Sequence, residues 1–457
     1  MRKNNSLSFK LSMVLVILLI FQFVAYFAYN EVHAQARSIN SNDILYTVKL
    51  LKSDYIKDIN VNQFLNEAIR GGNKYLKEIL KLKDDEIPLL NEQNDTRENM
   101  NIFSERINSV LDKYKESVDK SKFIYACISS MLEILSKPPY DDPYTLLMTP
   151  GEFKILKEQM SGGNFGGVGI YIQTDKKNNN QLTVIEPIEN TPAYKAGLKS
   201  GDIILKINDE PTKGMDIEVA AQKIRGKMGS SVVLTVDRKG VIKKYVIIRE
   251  KIHVKSAQAK LINKKIGYIK LRYFGENTDY EFNKALEVIK EKGAQALILD
   301  LRNNGGGYIT AAKDVCSKFL PRGSLVVSVI NERTNLRENY YSDGRNGVNI
   351  PVVILINEYS ASASEITAGA LQDTKKAMLI GEQSFGKASV QQIHEFRDNS
   401  AIKYTVAHYF TPDGKDINSV GIKPNISVKM DPTNLGKDDD AQLIEAVYYL
   451  IDNYNLG

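Results

Sequence analysis

The chain has 457 residues, 43% of them apolar and 25% charged, which are the proportions of an ordinary globular protein long enough for two or three domains. Its net charge of +6 is small for this length, and Lys and Glu are interleaved without a basic stripe carrying aromatics, which excludes a nucleic acid as partner. Two distant cysteines, Cys127 and Cys316, exclude a disulfide framework; with four scattered histidines and no HExxH there is no metal-ligand spacing, and no cofactor is expected.

At the N-terminus, Arg2, Lys3 and Lys10 precede an apolar run at 11–29, and Ala34-Gln35-Ala36 follows as a small-x-small cleavage pattern. The run is long for a signal peptide and just long enough to span a bilayer. Cleavage after Ala36 and retention as a membrane anchor both stay open. In either case the basic residues keep the N-terminus cytoplasmic, and the rest of the chain is expected outside the cytoplasm.

Residues 37–115 read as helical. Leu45, Val48 and Leu51, then Phe64 and Ala68, hold helix-spaced apolar positions, punctuated by Gly71-Gly72 and a polar cluster at 91–95. Nothing here suggests chemistry, so the region is read as a packing or oligomerisation element. A second apolar helix is expected over 122–135, ending at Pro138-Pro139 and a turn at 141–144. Thr149-Pro150 starts another helix.

From Ser161 the texture changes. A Gly-rich run at 162–169 leads into alternating Ile170-Tyr171-Ile172-Gln173, and strands follow at 182–185, 203–207, 232–237 and 245–249. A short helix opens at Thr191-Pro192, and Asp216 is placed to cap a longer one. About 90 residues in this order make a self-contained strand-rich module. From 251 onward short apolar strands alternate with helices: strands at 266–271, 296–301, 325–330, 352–356 and 377–380, helices at 279–290, 309–320, 362–372 and 440–448. That order argues for an α/β domain with a largely parallel core.

In such sheets the sites collect where strands end. One strand end runs Asp300-Leu301-Arg302-Asn303-Asn304 into Gly305-Gly306-Gly307, where glycines can turn N–H groups toward an anion. Another runs from 352–356 into Ser360-Ala361-Ser362-Ala363-Ser364-Glu365. A serine hydroxyl at that helix start meets N–H groups and a favourable dipole. Ser362-x-x-Glu365 is equally the pattern of an ordinary capping box. A nucleophilic serine needs a base. His394 or His408 with Asp300 would complete a triad, but both histidines lie in strand-like surroundings. Lys387, in Ser384-Phe385-Gly386-Lys387, is the other candidate, and acts as a base only if burial lowers its pKa. The residues alone leave these alternatives open.

Taken together, these segments resemble the carboxyl-terminal processing (tail-specific) proteases, peptidases with a Ser–Lys dyad. The resemblance covers about 120–455 and rests on Asp142-Pro143-Tyr144-Thr145, Gly167-Val168-Gly169-Ile170, Ala193-x-x-Ala196-Gly197-Leu198, the 298–307 segment, Ser360 to Ile366, Gly381-Glu382-x-x-Phe385-Gly386-Lys387-x-Ser389-Val390-Gln391, and Gly421-Ile422-x-Pro424. It implies an α+β/α/β multidomain fold: a signal peptide or anchor (1–36), a helical N-terminal region (37–115), a lead-in (116–160), an inserted PDZ domain (161–250) and a crotonase-like ββα protease core (251–457). Ser362 would be the nucleophile, Lys387 the general base and Gln391 the group orienting its amine. Backbone N–H groups of Ala363 and of Gly306 or Gly307 would form the oxyanion hole, and Ser360 and Ser364 would be structural. Gly167, Val168, Gly169 and Ile170 would bind a substrate tail, with Arg225 at the junction of the PDZ domain and the protease. The implied partners are proteins with apolar C-terminal tails and a second copy in a homodimer. The competing readings are a non-catalytic PDZ scaffold and a Ser-His-Asp hydrolase.

Overall fold

In the computed structural model, which describes residues 38–161, 165–175, 181–188, 190–215, 217–345, 347–430 and 434–456, the helix-spaced apolar residues near the N-terminus become four helices. These are Ser41–Asp54, Val61–Leu80, Thr96–Lys113 and Lys120–Glu133. Each begins at an Asn or Asp whose side chain accepts a first-turn N–H: Asn40 from Asn42, Asn60 from Gln63, Asp95 from Arg97 and Asp119 from Lys122. The apolar run at 11–29, part of the Gly-rich run and Asp216 lie outside the described residues. Among the described residues no helix is long and apolar enough to cross a membrane.

Two compact units interleave along the sequence, so linear boundaries do not separate them. The first gathers the helices with segments 329–337 and 389–408. Its core joins Val48, Leu51, Phe64, Ala68, Phe103, Ile107, Phe123 and Ile128 with Phe396, Ile402 and Tyr404. Strand Leu146–Met148 and strand Ser389–Glu395 each pair antiparallel with the strand that begins at Ala401.

Gly71 and Gly72 were expected to punctuate a helix; they lie in the middle of Val61–Leu80 instead. The reason is proximity to the Lys120–Glu133 helix. A Cβ on Gly71 would stand 2.4 Å from Ala126 O and 2.5 Å from Ser130 Cβ. The helix tolerates two poor helix formers because a bare backbone is what lets its neighbour approach.

The second unit holds two cores. In the first, strands run in the order Ile170–Asp175, Gln181–Pro187, Ile203–Ile207, Ser231–Arg238, Val241–Ile248, and neighbours are antiparallel. One face of this sheet, with helix Ile217–Ile224, encloses Val168, Leu182, Val184, Ile204, Val232, Leu234, Val236 and Ile247. The last strand starts at Val241, four residues before the expected start at 245, because exposed Lys243 and Lys244 hide its alternation in the sequence.

The second core is a six-stranded sheet ordered Ala257–Ile262, Ile266–Leu271, Ala296–Asp300, Val352–Ile356, Met378–Gly381, Ile426–Ser427. The first pair is antiparallel and the rest are parallel. Ile298, Val353, Leu355 and Ile380 pack with Ala446 and Leu450 of the helix Ala441–Tyr454. On the opposite face Gly267 lies against Ile289 of the helix Thr278–Glu291, where a Cβ would come within 2.7 Å of the Ile289 side chain. Burial on both faces explains why these strands read as continuous apolar runs. Leu299, Ile354 and Leu379 lie side by side in register, so the loops after three neighbouring strands emerge at one edge.

A buried ion cluster secures that edge. Arg302 donates to Asp300 Oδ2 (2.8 Å) and to Asp440 Oδ1 (2.7 Å) and Oδ2 (2.9 Å), while Lys270 Nζ donates to Asp300 Oδ1 (3.0 Å). Burial alone would raise the Asp300 carboxyl. The Lys270 ammonium and the Arg302 guanidinium win and hold it well below the usual carboxylate range.

Two outcomes follow from this packing. Gly71→Val is expected to destabilise the chain by about 1–3 kcal/mol despite the gain in side chain, since the obstructing atom is backbone; urea denaturation measures it. Asp300→Asn is expected to cost about 3–5 kcal/mol near neutrality, because Arg302 and Lys270 lose a buried counter-charge. The stabilisation held by ionised Asp300 is present above the ordinary carboxylate pKa of ~3.9 and fades as pH falls toward the depressed folded value. Urea melts between about pH 7 and pH 3 should therefore show a shallower acid loss in the Asn variant.

Candidate active site

The sequence around Ser362 is built of small residues because the chain has to turn sharply there. Strand Val352–Ile356 ends, and helix Ala363–Asp373 begins with Ser362 as its N-cap, at φ 55° and ψ −117°. A side chain other than glycine in that region of backbone space is strained by roughly 1–3 kcal/mol. The strain is held by the surroundings. Ser360 Oγ donates to Leu301 O (2.9 Å), Ser364 Oγ to Asn304 O (2.8 Å), and the Ala361 N–H to Asn304 O (3.0 Å). Ser360 and Ser364 are both wholly buried in these bonds, whereas Ser362 is not.

Glu365 is the centre of the arrangement. Its carboxylate is completely buried and accepts four hydrogen bonds. Oε2 takes the N–H of Ser362 (2.9 Å) and the N–H of Lys387 (2.9 Å). Oε1 takes Ser384 Oγ (2.6 Å) and the N–H of Gly386 (2.7 Å). The turns carrying Ser362 and Lys387 thus share one oxygen atom. Tyr409 Oη donates to Ser362 O (3.1 Å). Burial and the nearby Glu365 carboxylate push its hydroxyl well up, which keeps it a donor. The Phe385 N–H donates to Ser360 O (3.0 Å), a second strap between the two turns.

The glycine loop lies against the serine. A Cβ on Gly306, at φ +99°, would fall 2.8 Å from both Ser362 Cβ and Ala363 N. Only glycine permits that approach. The N–H of Gly306, one of the expected oxyanion donors, is engaged with Asn304 Oδ1 (2.9 Å). Ala363 N–H belongs to the first turn of its helix, where no carbonyl four residues earlier can accept it.

The remaining expected residues sort by location. Lys387 is half-buried. Gln391 belongs to the first unit, where Nε2 donates to Ser389 Oγ (2.8 Å) and Thr405 Oγ1 (3.4 Å). Asp300 is engaged with Tyr268 Oη (2.7 Å), Lys270 and Arg302. His408 Nδ1 meets Glu332 Oε1 at 2.9 Å, and the His394 ring packs on Tyr46 and Phe396. Each member of the alternative triad therefore has a local structural role.

In the strand-rich module, Val168 is buried in the core and Ile170 is partly buried against it. The carbonyl of Val168 accepts from the Ala193 N–H (2.8 Å), and that of Gly169 from the Ile188 N–H (2.9 Å) and Thr191 Oγ1 (3.1 Å), which sets the loop's shape. The Gly166 carbonyl accepts from the Gly226 N–H (2.9 Å), beside Gly167. Burial lowers the pKa of half-buried Arg225, and the Glu158 carboxylate draws it back up.

Comparison with known proteins decides the family. A carboxyl-terminal-processing protease of a Picosynechococcus is 37% identical over 326 residues, spanning 70% of this chain and 77% of that protein. The chain belongs to the carboxyl-terminal-processing protease family. It is thus a serine-type C-terminal processing protease with a PDZ domain. The Bacillus subtilis carboxy-terminal processing protease CtpA is 34% identical over 318 residues, 69% of this chain and 66% of that one. A model of peptidase family S41 matches residues 265–428, and a PDZ-domain model matches 183–238. A solved Bacteroides fragilis chain described as an S41 protease shares the fold at 16% identity, with a TM-score of 0.51, over 76% of this chain and 97% of that one.

Sequence reasoning gave Glu365 a capping role only; three of its four bonds reach the distant lysine turn. The available signal was a lone carboxylate in a run of small, apolar-facing residues. It also missed the Arg302–Asp440 pair, whose partners lie 138 residues apart.

Ser362→Gly is expected to raise the stability of the fold by about 1–3 kcal/mol, since glycine meets no penalty at this φ and ψ, whereas Ser362→Ala keeps the strain. Chemical denaturation of both variants separates the two. Glu365→Gln places an amide where only acceptors fit and is expected to reduce activity at least ~100-fold, equivalent to roughly 3 kcal/mol, with the far-ultraviolet dichroism retained.

Proposed function

We propose that the chain is an endopeptidase that cleaves exported or envelope proteins near their C-termini, with Ser362 as nucleophile and Lys387 as general base. The observation that carries this reading is the shared Glu365 oxygen, which joins the main chains at Ser362 and Lys387 across 25 positions of sequence that include a helix and a strand.

In this mechanism Ser362 Oγ attacks the scissile carbonyl carbon and gives its proton to Lys387 Nζ. The negative oxygen of the tetrahedral intermediate is met by the N–H groups of Ala363 and Gly307, at a helix N-terminus whose dipole favours an anion. Collapse expels the amine, which takes the proton from Lys387, and leaves an ester on Ser362. Water, deprotonated by the same lysine, hydrolyses that ester. Gln391 orients the lysine amine. The lysine must be neutral to begin, so its pKa has to lie below the ordinary ~10.4.

The PDZ domain grips the substrate tail by strand addition. Ile170–Asp175 is the end strand of its sheet and helix Ile217–Ile224 lies beside it, so a peptide pairing there would place alternate side chains between strand and helix. Gly167, Val168, Gly169 and Ile170 lead into that strand, and Arg225 lies beyond the helix, facing Glu158. Export through the N-terminal segment and a homodimer formed through the helical region belong to the same reading; N-terminal mass spectrometry and light scattering test them.

Ser362→Ala and Lys387→Ala are each expected to abolish cleavage of a protein ending in an apolar tail, and Gln391→Ala to weaken it, while His394→Ala and His408→Ala cleave normally. Inactive histidine variants beside an active Lys387→Ala would refute the dyad. The kcat/KM profile is expected to rise with pH through one apparent pKa below that of a free lysine.

A further inference from the structure

The outer face of the PDZ sheet departs from what an antiparallel sheet with one solvated side normally shows. Such a face is polar. Here Ile242, Val246 and Ile248 point outward from the last strand at 66%, 68% and 52% exposure, and Ile185, three strands away in the same sheet, is exposed as well. Clustered apolar exposure of this kind marks a surface that meets something.

The row across the middle of the face identifies the chemistry. Lys206, Thr235 and Lys244 are direct cross-strand neighbours and therefore share that face. Both lysines are exposed. Thr235 between them is 6% exposed, and its hydroxyl oxygen is buried without a hydrogen-bond partner among the described residues. An orphaned hydroxyl costs free energy unless something reaches it. Two ammonium groups flanking a hydroxyl suit a phosphate, and isoleucines around them suit the hydrocarbon beneath it.

We propose that this face docks on the surface of an anionic phospholipid bilayer, with a lipid phosphate held by Lys206, Thr235 and Lys244 and with Ile242, Val246 and Ile248 entering the interface. The lysines favour an anionic surface over a second copy of the chain, whose equivalent face would carry the same positive charge. Docking here leaves the opposite side of the module, where helix Ile217–Ile224 lies, open to a peptide. The inference is independent of the peptidase chemistry.

The test uses the full-length chain with Ile242→Cys labelled by an environment-sensitive fluorophore; Cys127 and Cys316 are buried and escape labelling. The probe is mixed with phosphatidylcholine vesicles that contain or lack phosphatidylglycerol. The emission is expected to shift to the blue only with phosphatidylglycerol, and a probe at Val219→Cys on the helix side to stay in water. Adding Lys206→Ala and Lys244→Ala should lower the docked-to-undocked ratio about 30-fold, at roughly fivefold per lysine, with an unchanged thermal melt. Equal shifts with both kinds of vesicle, or a shift indifferent to the two lysines, would overturn the proposal. So would a shift that grows with protein concentration in the absence of vesicles, which would assign the face to a second copy.

Discussion

One buried carboxylate joins the turns that carry Ser362 and Lys387. Glu365 accepts two N–H groups on one oxygen and an N–H and a hydroxyl on the other, and three of those donors come from the turn that ends in Lys387. A carboxylate removed from water is costly unless its oxygens are satisfied. Four donors meet that requirement only when both turns are in place. The serine and the lysine are therefore positioned by the same condition, and neither turn can relax without leaving a buried charge short of partners.

The strain at Ser362 belongs to this logic. A serine at φ 55° and ψ −117° persists because the Leu301–Gly307 loop, the Ser360 and Ser364 hydroxyls and Glu365 over-determine the turn. The loop is itself pinned from behind by Arg302, whose guanidinium lies between Asp300 and Asp440. Fold stability and site geometry meet in that arginine. Its strand end carries the glycine loop, and its second partner caps the C-terminal helix.

Much of the fold was readable because its signals are local. Apolar runs bounded by Gly, Asn and Asp marked the parallel strands, and periodic Val48, Leu51, Phe64 and Ala68 marked the first helices. Where the reading went astray, a neighbour distant in sequence had changed the meaning of a residue. Gly71 and Gly72 look like a break and serve as a contact surface for Ala126 and Ser130. Lys243 and Lys244 precede the strand expected from 245 and nonetheless belong to it, because their side chains stay in solvent while Tyr245 and Ile247 face inward. Segment 389–408 follows the lysine directly yet folds with the N-terminal helices, since Phe396, Ile402 and Tyr404 complete their core.

By itself the sequence determined the family, the α/β core and the PDZ module, because these rest on residue types at fixed local spacing. Only the tertiary structure decided that Glu365 joins the two turns, that the Gly306 N–H is already committed to Asn304, and that Asp300 serves Arg302 and not a histidine. Hydrogen bonds and ion pairs between distant segments carry no spacing rule. They exist only once the packed strands have brought the loop ends to one edge.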